Sequence, residues 1–369
     1  MSTVSGGPVG VAVVGAGTIS SQYLRNLTRF PDLNVVAVAD IDQARAAAAA
    51  AEHGVPASGG LIEVLALPEV ELVVNLTIPA AHAEVALAAL AAGKHVYGEK
   101  PLALAPESAR AVLAEAAGRG LRVGNAPDTF LGAGIQSALR AVASGAIGTP
   151  VAATAAFQSP GPESWHPSPE FLFAHGAGPL FDMGPYYLTA LAALLGPVTK
   201  VAATGHKARA KRVIGSGPKA GTEFPVEVPT HVTALLEFAG GAGATATFSF
   251  DSPLVRQTIE LTGTEATLLL PDPNNFDGVL KLRSVDAAEA ETLPVTGTDV
   301  GRGIGVLDMA RALRTGQAHR ASGELALHVL DVMSAIAASA DGQAFEAVPA
   351  WADKLKPLPA EWDPFEATL

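Results

Sequence analysis

The sequence predicts two domains of different fold class: a doubly wound parallel α/β sheet over residues 1–127, then a helix-plus-open-antiparallel-sheet (α+β) domain over residues 128–369. Three observations lead there. The apolar, β-branched run VGVAVV at residues 9–14 turns directly into GAGTIS and a helical pattern, as a strand buried on both faces does before a glycine turn. Strand-like and helix-like segments then alternate as far as residue 128, the rhythm of βαβ units with right-handed crossovers. Beyond it the alternation stops, and strands joined by short turns such as AGG and GTE predict an antiparallel meander.

In chain order, LNVVAVADID reads as the second strand and ends at Asp40. The helix ARAAAAAAEHG, the strand VELVVNLTI, the helix AAHAEVALAALAAG and the short strand KHVYG before EKP continue the pattern, and a last helix, PESARAVLAEAAGRG, leads to LRVGNAP. The second half opens with the helix IQSALRAVASGAIG, the strand VAATAAFQ and the Pro/Gly-rich loop SPGPESWHPSPEFLFAHGAG. Then comes GPLFDMGPYY at residues 178–187, where Asp182 suits a helix N-cap and Pro185 a first helical position. The strands KVAATGHKA, THVTALLEFAG, GATATFSFDS, RQTIELTGTEATLLLP and GVLKLRSV follow. Late helices within residues 303–342 and a Pro-rich tail are expected to pack on this second body.

At 369 residues the chain is long enough for two cores. It is 49% hydrophobic and 16% charged, which places it among globular proteins. No apolar stretch reaches the ~18 residues of a spanning helix unbroken by Gly, Pro or charge, so no membrane partner is expected. The start runs into a core strand without a basic leader, and the chain has no cysteine; the expected location is the cytoplasm. With 24 basic against 36 acidic residues, the formal charge of −12 makes phosphate neutralisation a poor basis for binding, and nucleic acid is not an expected partner.

The first βαβ unit carries the chemistry of a dinucleotide site. Gly15 and Gly17 let the backbone approach a pyrophosphate at a helix N-terminus, with Thr18 and Ile19 completing the turn. Asp40 lies 20 residues beyond Ser20, which stands where a third glycine is usual, and a carboxylate there suits ribose hydroxyls. That acid repels a 2′-phosphate, so NAD is favoured over NADP, with Arg45 the one opposing feature. In such Rossmann sheets ligands bind beyond the carboxyl ends of the strands, where Ile78, Pro79, His82, Glu99, Lys100 and Asn125 fall. His82 serves either the cofactor or the start of its own helix.

GAGTIS, HAEVALAALAAGKHVYGEKPLAL and GAGPLFDMGPYY, in that order, resemble the glucose–fructose oxidoreductase/inositol dehydrogenase (Gfo/Idh/MocA) family over nearly the whole chain. The resemblance implies an N-terminal nicotinamide-dinucleotide domain and hydride transfer between NAD(P) and a secondary alcohol of a sugar, sugar derivative or cyclitol. It makes Lys100 the family's catalytic lysine and Asp182 its active-site aspartate, with Tyr186 where many members carry a histidine. The reaction asks for such groups in any case, because a polar group must hold the oxygen while its proton and the hydride leave. Residues 182 and 186 are i and i+4 on one helix face. Tyr186 is favoured as proton carrier and Lys100 as electrostatic stabiliser, the reverse assignment staying open.

Trp165 and His166, in the loop before the aspartate, and Asp128, in GNAPDTF, are further candidates for substrate binding; loop packing and turn chemistry are the competing roles. His231, His319 and His328 read as structural, and no histidine spacing predicts a metal. A homodimer or homotetramer through the C-terminal sheet is expected, since one helix layer covers only one face. Rival activities on the same fold are an enzyme that oxidises transiently and recycles NAD, one that couples two sugars on a bound cofactor, and a non-catalytic sensor.

Overall fold

The computed structural model describes residues 6–352 and 355–369. The chain forms two compact units: Met1–Gly132, Gly297–Leu327 and Leu358–Leu369 make the first, and Ala133–Thr296 with His328–Pro357 the second.

The first unit alternates β1 (Val9–Val14), α1 (Ser20–Leu27), β2 (Leu33–Ala39), α2 (Gln43–His53), β3 (Ala57–Gly59), α3 (Leu61–Leu65), β4 (Leu72–Asn75), α4 (His82–Ala91), β5 (His95–Gly98), α5 (Pro106–Arg119) and β6 (Val123–Asn125). The six strands pair in parallel in the order β3-β2-β1-β4-β5-β6. Strand order reverses between β1 and β4, and sheets of this kind bind ligands beyond the carboxyl ends of the strands at such a switch point. Val9, Val11, Ala12 and Val13 of β1 are fully buried, which explains an unbroken apolar run rather than an alternating one.

The second unit holds α6 (Ala133–Ala143), β7 (Pro150–Gln158), α7 (Gly178–Leu195), β8 (Val198–His206), β9 (Lys211–Val213), β10 (Glu223–Pro225), β11 (His231–Phe238), β12 (Gly243–Ser249), β13 (Arg256–Gly263), β14 (Ala266–Leu270), β15 (Leu280–Ser284) and β16 (Glu291–Leu293). After α8 (Ile304–Thr315), the chain continues through α9 (Gly323–Gly342) to β17 (Glu346–Ala347). Nine strands form one sheet, β16-β15-β14-β13-β7-β12-β11-β8-β17. It is mixed rather than a simple meander: β7 sits between β12 and β13, parallel to β12 and antiparallel to β13. The hairpin β10-β9 forms a separate two-stranded sheet that short, polar segments did not announce.

Tyr187 of α7 lies between Phe157 and Phe248 of the large sheet, both in edge-on contact, so α7 is the layer that covers the sheet's inner face. Along β11, Val232, Ala234, Leu236 and Phe238 are buried while His231, Thr233, Leu235 and Glu237 are not. The helix α7 corrects the expected cap. It begins at Gly178 after N-cap Ala177, with Pro179 in its first turn, so Asp182 is inside the helix and Pro185 is an interior proline. Gly178 and Pro179 already perform the start that Asp182 and Pro185 were expected to perform.

A single boundary at residues 127/128 does not describe these units, because residues 297–327 and 358–369 belong to the first. Long-range polar contacts hold them there. Arg311 of α8 donates to Asp32 at 2.7 Å, Arg314 to Glu71 at 2.7 Å, and the Thr368 N–H to Asp32 at 2.8 Å. Burial alone would raise the Asp32 carboxyl, but the Thr368, Arg311 and Leu369 donors outweigh it and hold it below the ordinary value. One helix among the described residues, α9, is long and apolar enough to cross a membrane by length and composition, although Glu324 and Asp331 interrupt its apolar run. Its Val329, Leu330, Met333 and Ile336 are buried, the pattern of a core helix.

Candidate active site

The turn after β1 has the features an anionic dinucleotide needs. Gly15 adopts φ +99°, and a Cβ there would come within 2.7 Å of the Leu76 carbonyl, so only glycine lets the two strand ends close. A Cβ on Gly17 would meet nothing within 4 Å; Gly17 and Thr18 are exposed and Ile19 is half-buried. No side chain caps α1 and no acid lies in its first turn, which leaves the positive end of the helix to a ligand. Ser20, in the third-glycine position, is buried and donates its hydroxyl to Gly17 O at 2.7 Å, so it closes the same turn by a side chain.

The Asp40 carboxylate is held at the tip of β2, accepting from Ala16 N at 2.7 Å and Asp42 N at 2.8 Å. Arg45, five residues away in sequence, returns on the first turn of α2 to within 3.9 Å of Asp40 and 3.3 Å of Asp42. The acid therefore has beside it the cation that the sequence marks as the one feature opposing NAD. These residues fit a dinucleotide: a close-approach turn, an uncapped helix start and an anchored acid at the next strand end.

The other strand-end residues divide by what their polar atoms hold. Ile78 is 69% exposed and Pro79 is exposed, at the tip after β4. His82 is 2% exposed, and its two ring nitrogens face backbone carbonyls, Nδ1 at 2.6 Å from Pro101 O and Nε2 at 3.0 Å from Thr77 O. Asn75 completes that clasp, donating to His82 O and accepting from Thr77. The His82 ring thus ties the turn after β4 to the turn that carries Lys100. Glu99 points inward, accepting from Tyr23 Oη at 2.8 Å and Lys100 N at 2.9 Å, and Lys100 precedes Pro101 through a cis peptide bond. Asn125 donates to the carbonyls of Gly98 and Glu99, both at 2.9 Å, fixing the same turn from β6.

Asp128 is fully buried, and its Oδ2 accepts from the N–H groups of Gly303 at 2.8 Å and Gly305 at 3.1 Å, so it caps the start of α8. Burial raises its carboxyl to about 6, opposed by Arg302 and those two N–H groups. Tyr23, buried against Glu99, is pushed well above the ordinary phenol value, first by burial and then by the acid's charge. Arg302 and Tyr23 were absent from the sequence reading because no local motif surrounds them.

In the second unit, Asp182 and Tyr186 lie one turn apart on α7, Asp182 half-buried and Tyr186 6% exposed. The neighbouring Tyr187 donates to Asp272 at 3.3 Å; burial, then the Asp272 charge, drives its phenol upward. Trp165 is 67% exposed in the preceding loop, with His166 against it. Phe171, 61% exposed on the other side of His166, was missed as an ordinary loop residue. Among the described residues no group of three or more His, Asp or Glu side chains is placed to hold a metal.

Residues 9–126 match the family model described as "Oxidoreductase family, NAD-binding Rossmann fold", and residues 135–269 match "GFO/IDH/MocA C-terminal domain". The chain belongs to the GFO/IDH/MocA oxidoreductase family. Among relatives in that family, trans-1,2-dihydrobenzene-1,2-diol dehydrogenase of Bos taurus is 30% identical over 264 residues, 71% of this chain and 73% of that protein. Inositol 2-dehydrogenase of Ralstonia nicotianae is 34% identical over 41% of this chain and 46% of its own length. The fold recurs in an NAD-binding oxidoreductase from Klebsiella pneumoniae, with a TM-score of 0.81 at 24% identity over 93% of this chain and 99% of that one. It recurs also in levoglucosan dehydrogenase in complex with NADH and L-sorbose, TM-score 0.79 at 22% identity, covering 93% and 100%. Like other GFO/IDH/MocA chains, this one is an oxidoreductase with an NAD(P)-binding Rossmann fold at its N-terminus.

Proposed function

We propose that this GFO/IDH/MocA protein is an NAD-dependent dehydrogenase that interconverts a secondary alcohol and a ketone on a sugar, sugar derivative or cyclitol. The observation that carries the reading is the 30% identity, over 71% of this chain, to a dehydrogenase of a cyclic diol. Relatives named inositol 2-dehydrogenase and 1,5-anhydro-D-fructose reductase extend the substrate class to ring polyols and sugars.

Oxidation of a CH–OH group takes a hydride from carbon and a proton from oxygen. Bound NAD supplies the hydride acceptor. Lys100 is assigned to steady the negative charge that develops on the substrate oxygen, and Tyr186 Oη to carry the proton. Asp182, one helical turn before Tyr186, is assigned to orient it. The turn that carries Lys100 is held from three sides, by Glu99, Asn125 and the His82 ring, which supports a fixed rather than mobile lysine backbone. Asp40 favours NAD, and Arg45 beside it sets how strongly NADP is refused.

A second copy of the chain is the proposed cover for the outer face of the nine-stranded sheet. That face is rich in Thr and Ala, with Thr233 and Thr247 side by side and Leu235 52% exposed. The test of the catalytic reading is a panel of sugars, cyclitols and cyclic diols followed at the reduced-nicotinamide band. Steady NADH release with a ring polyol is expected. Product without net NADH would move the protein to the cofactor-recycling class instead.

A further inference from the structure

The loop between β7 and α7 is held by a buried ionic cluster. Arg212 of β9 is 4% exposed. Its Nη1 donates to Pro160 O at 3.1 Å and to the Glu163 carboxylate; its Nη2 donates to Phe250 O at 2.9 Å and to the Asp251 carboxylate. The guanidinium also lies 5.1 Å from the Phe173 ring centre. Asp251 in turn accepts from Thr230 Oγ1 at 2.5 Å. One cation therefore joins both ends of the loop, at residues 160–163 and 173, to the end of β12.

The rest of the hairpin repeats the pattern. Gly215 N donates to Glu163 O at 2.8 Å, Lys219 reaches Glu170 at 2.8 Å, and Glu227 N donates to Phe173 O at 2.9 Å. Burying a guanidinium is costly, and here both Nη groups are spent on this loop and the strand end beneath it, while Nε is buried with no hydrogen-bond partner among the described residues. What the anchors leave outside is a row of three rings. Trp165 and Phe171 flank His166, each 5.5 Å from it and edge-on at 68°. His166 Nδ1 accepts from Ser168 N at 3.0 Å, which leaves Nε2 as the donor of the neutral ring. The 3₁₀ turn Glu170–Phe173 packs against α7, the helix of Asp182 and Tyr186.

We propose that Trp165, His166 and Phe171 form the wall that selects the substrate ring, and that Arg212 is the positioning residue that sets this wall. Aromatic faces match the apolar C–H face of a sugar or cyclitol, and the imidazole Nε2–H matches one of its hydroxyls. The proposal rests on the dehydrogenase reading above, from which its test is separable.

Wild type, Arg212→Lys, Trp165→Ala and Phe171→Ala are compared on the best ring substrate of the panel. Lysine keeps the charge and loses the fork. KM is expected to rise about tenfold or more in Arg212→Lys and Trp165→Ala, with kcat within about threefold and the Kd for NAD unchanged. A fall in kcat at constant KM, or a KM that stays put in Trp165→Ala, overturns the proposal. The two surface variants keep the test decisive if Arg212→Lys fails to fold. If wild type turns over no member of the panel, the dehydrogenase reading fails by itself. The wall is then judged by titrating tryptophan emission with myo-inositol, where a signal that is absent in wild type, or persists in Trp165→Ala, overturns it.

Discussion

The two large sheets of this protein sit among polar groups placed by opposite means. In the six-stranded parallel sheet every candidate lies at a strand's carboxyl end, and neighbours in space are also neighbours in the βα rhythm: Asp40 after β2, His82 after β4, Lys100 after β5, Asn125 at the end of β6. Around the nine-stranded mixed sheet the groups that organise the loop before α7 are Glu163 of that loop, Arg212 of the separate β9-β10 hairpin and Asp251 just past β12, joined only by tertiary pairing. The first arrangement can be read as a list of positions. The second has to be seen folded. The contrast also shows that position and role are separate matters. His82, Glu99, Asn125 and Asp128 stand at or just past strand ends, yet their hydrogen bonds go largely to backbone groups that shape the turns.

The comparison is broken most sharply at Lys100. Lys100→Ala is expected to lower turnover by at least ~10²-fold while the Kd for NAD, by equilibrium titration, stays near wild type. Turnover that survives would remove the lysine from the chemistry. Tyr186→Phe, in the other unit, should cost ~10²-fold in kcat as a proton carrier does. If Lys100 and Tyr186 act on one reaction step, the double variant costs little more than the worse single one; full additivity of the two losses would separate them.

Acid sensitivity tests the two units against each other. Burial, and Arg122 in the first case, lowers His95 to about 4, and burial lowers His328 to about 4. His95 Nδ1 accepts from Arg122 N in the first unit, and His328 Nε2 accepts from Val198 N in the second. Both are neutral when folded, whereas the unfolded chain takes up protons below the ordinary value of 6.5. Stability is therefore full above that value and declines as pH falls toward 4, by an amount on the order of 2 kcal/mol for each histidine. Urea midpoints measured across this range should fall with pH, and His328→Gln should flatten the decline. A flat wild-type profile would contradict the burial of both rings.

The smallest effect is expected at Asp40. Asp40→Ala should weaken NAD about tenfold, and the NAD/NADP ratio of kcat/KM should narrow, because Arg45 remains. An unchanged ratio would show that Asp40 merely fastens the turn through Ala16 and Asp42.

Much of the first unit was legible in sequence because each signal there is local. Apolar runs, glycine turns and the spacing to Asp40 all follow from a strand that must be buried on both faces and a helix that must start at a ligand. Asp182 was legible as a motif but not as a helix position, since two Gly-Pro pairs at residues 178–179 and 184–185 offer equal starts and only packing chooses the first. The mixed order of the large sheet was hidden for a related reason: turns specify hairpins, but no turn specifies that β7 enters between β12 and β13.

By itself, then, the sequence determined the class of each half, the dinucleotide turn and the order in which the chemical groups appear, because short-range sterics and hydrophobic periodicity suffice for these. Tertiary structure alone decided that residues 297–327 and 358–369 join the first unit, that Asp128 caps α8, and that Arg212 fastens the aromatic loop. Each of those depends on a buried or returning charge finding its partner across a long stretch of chain. Such partners are chosen by the cost of leaving a charge unpaired in the folded interior, a cost that does not exist until the interior forms.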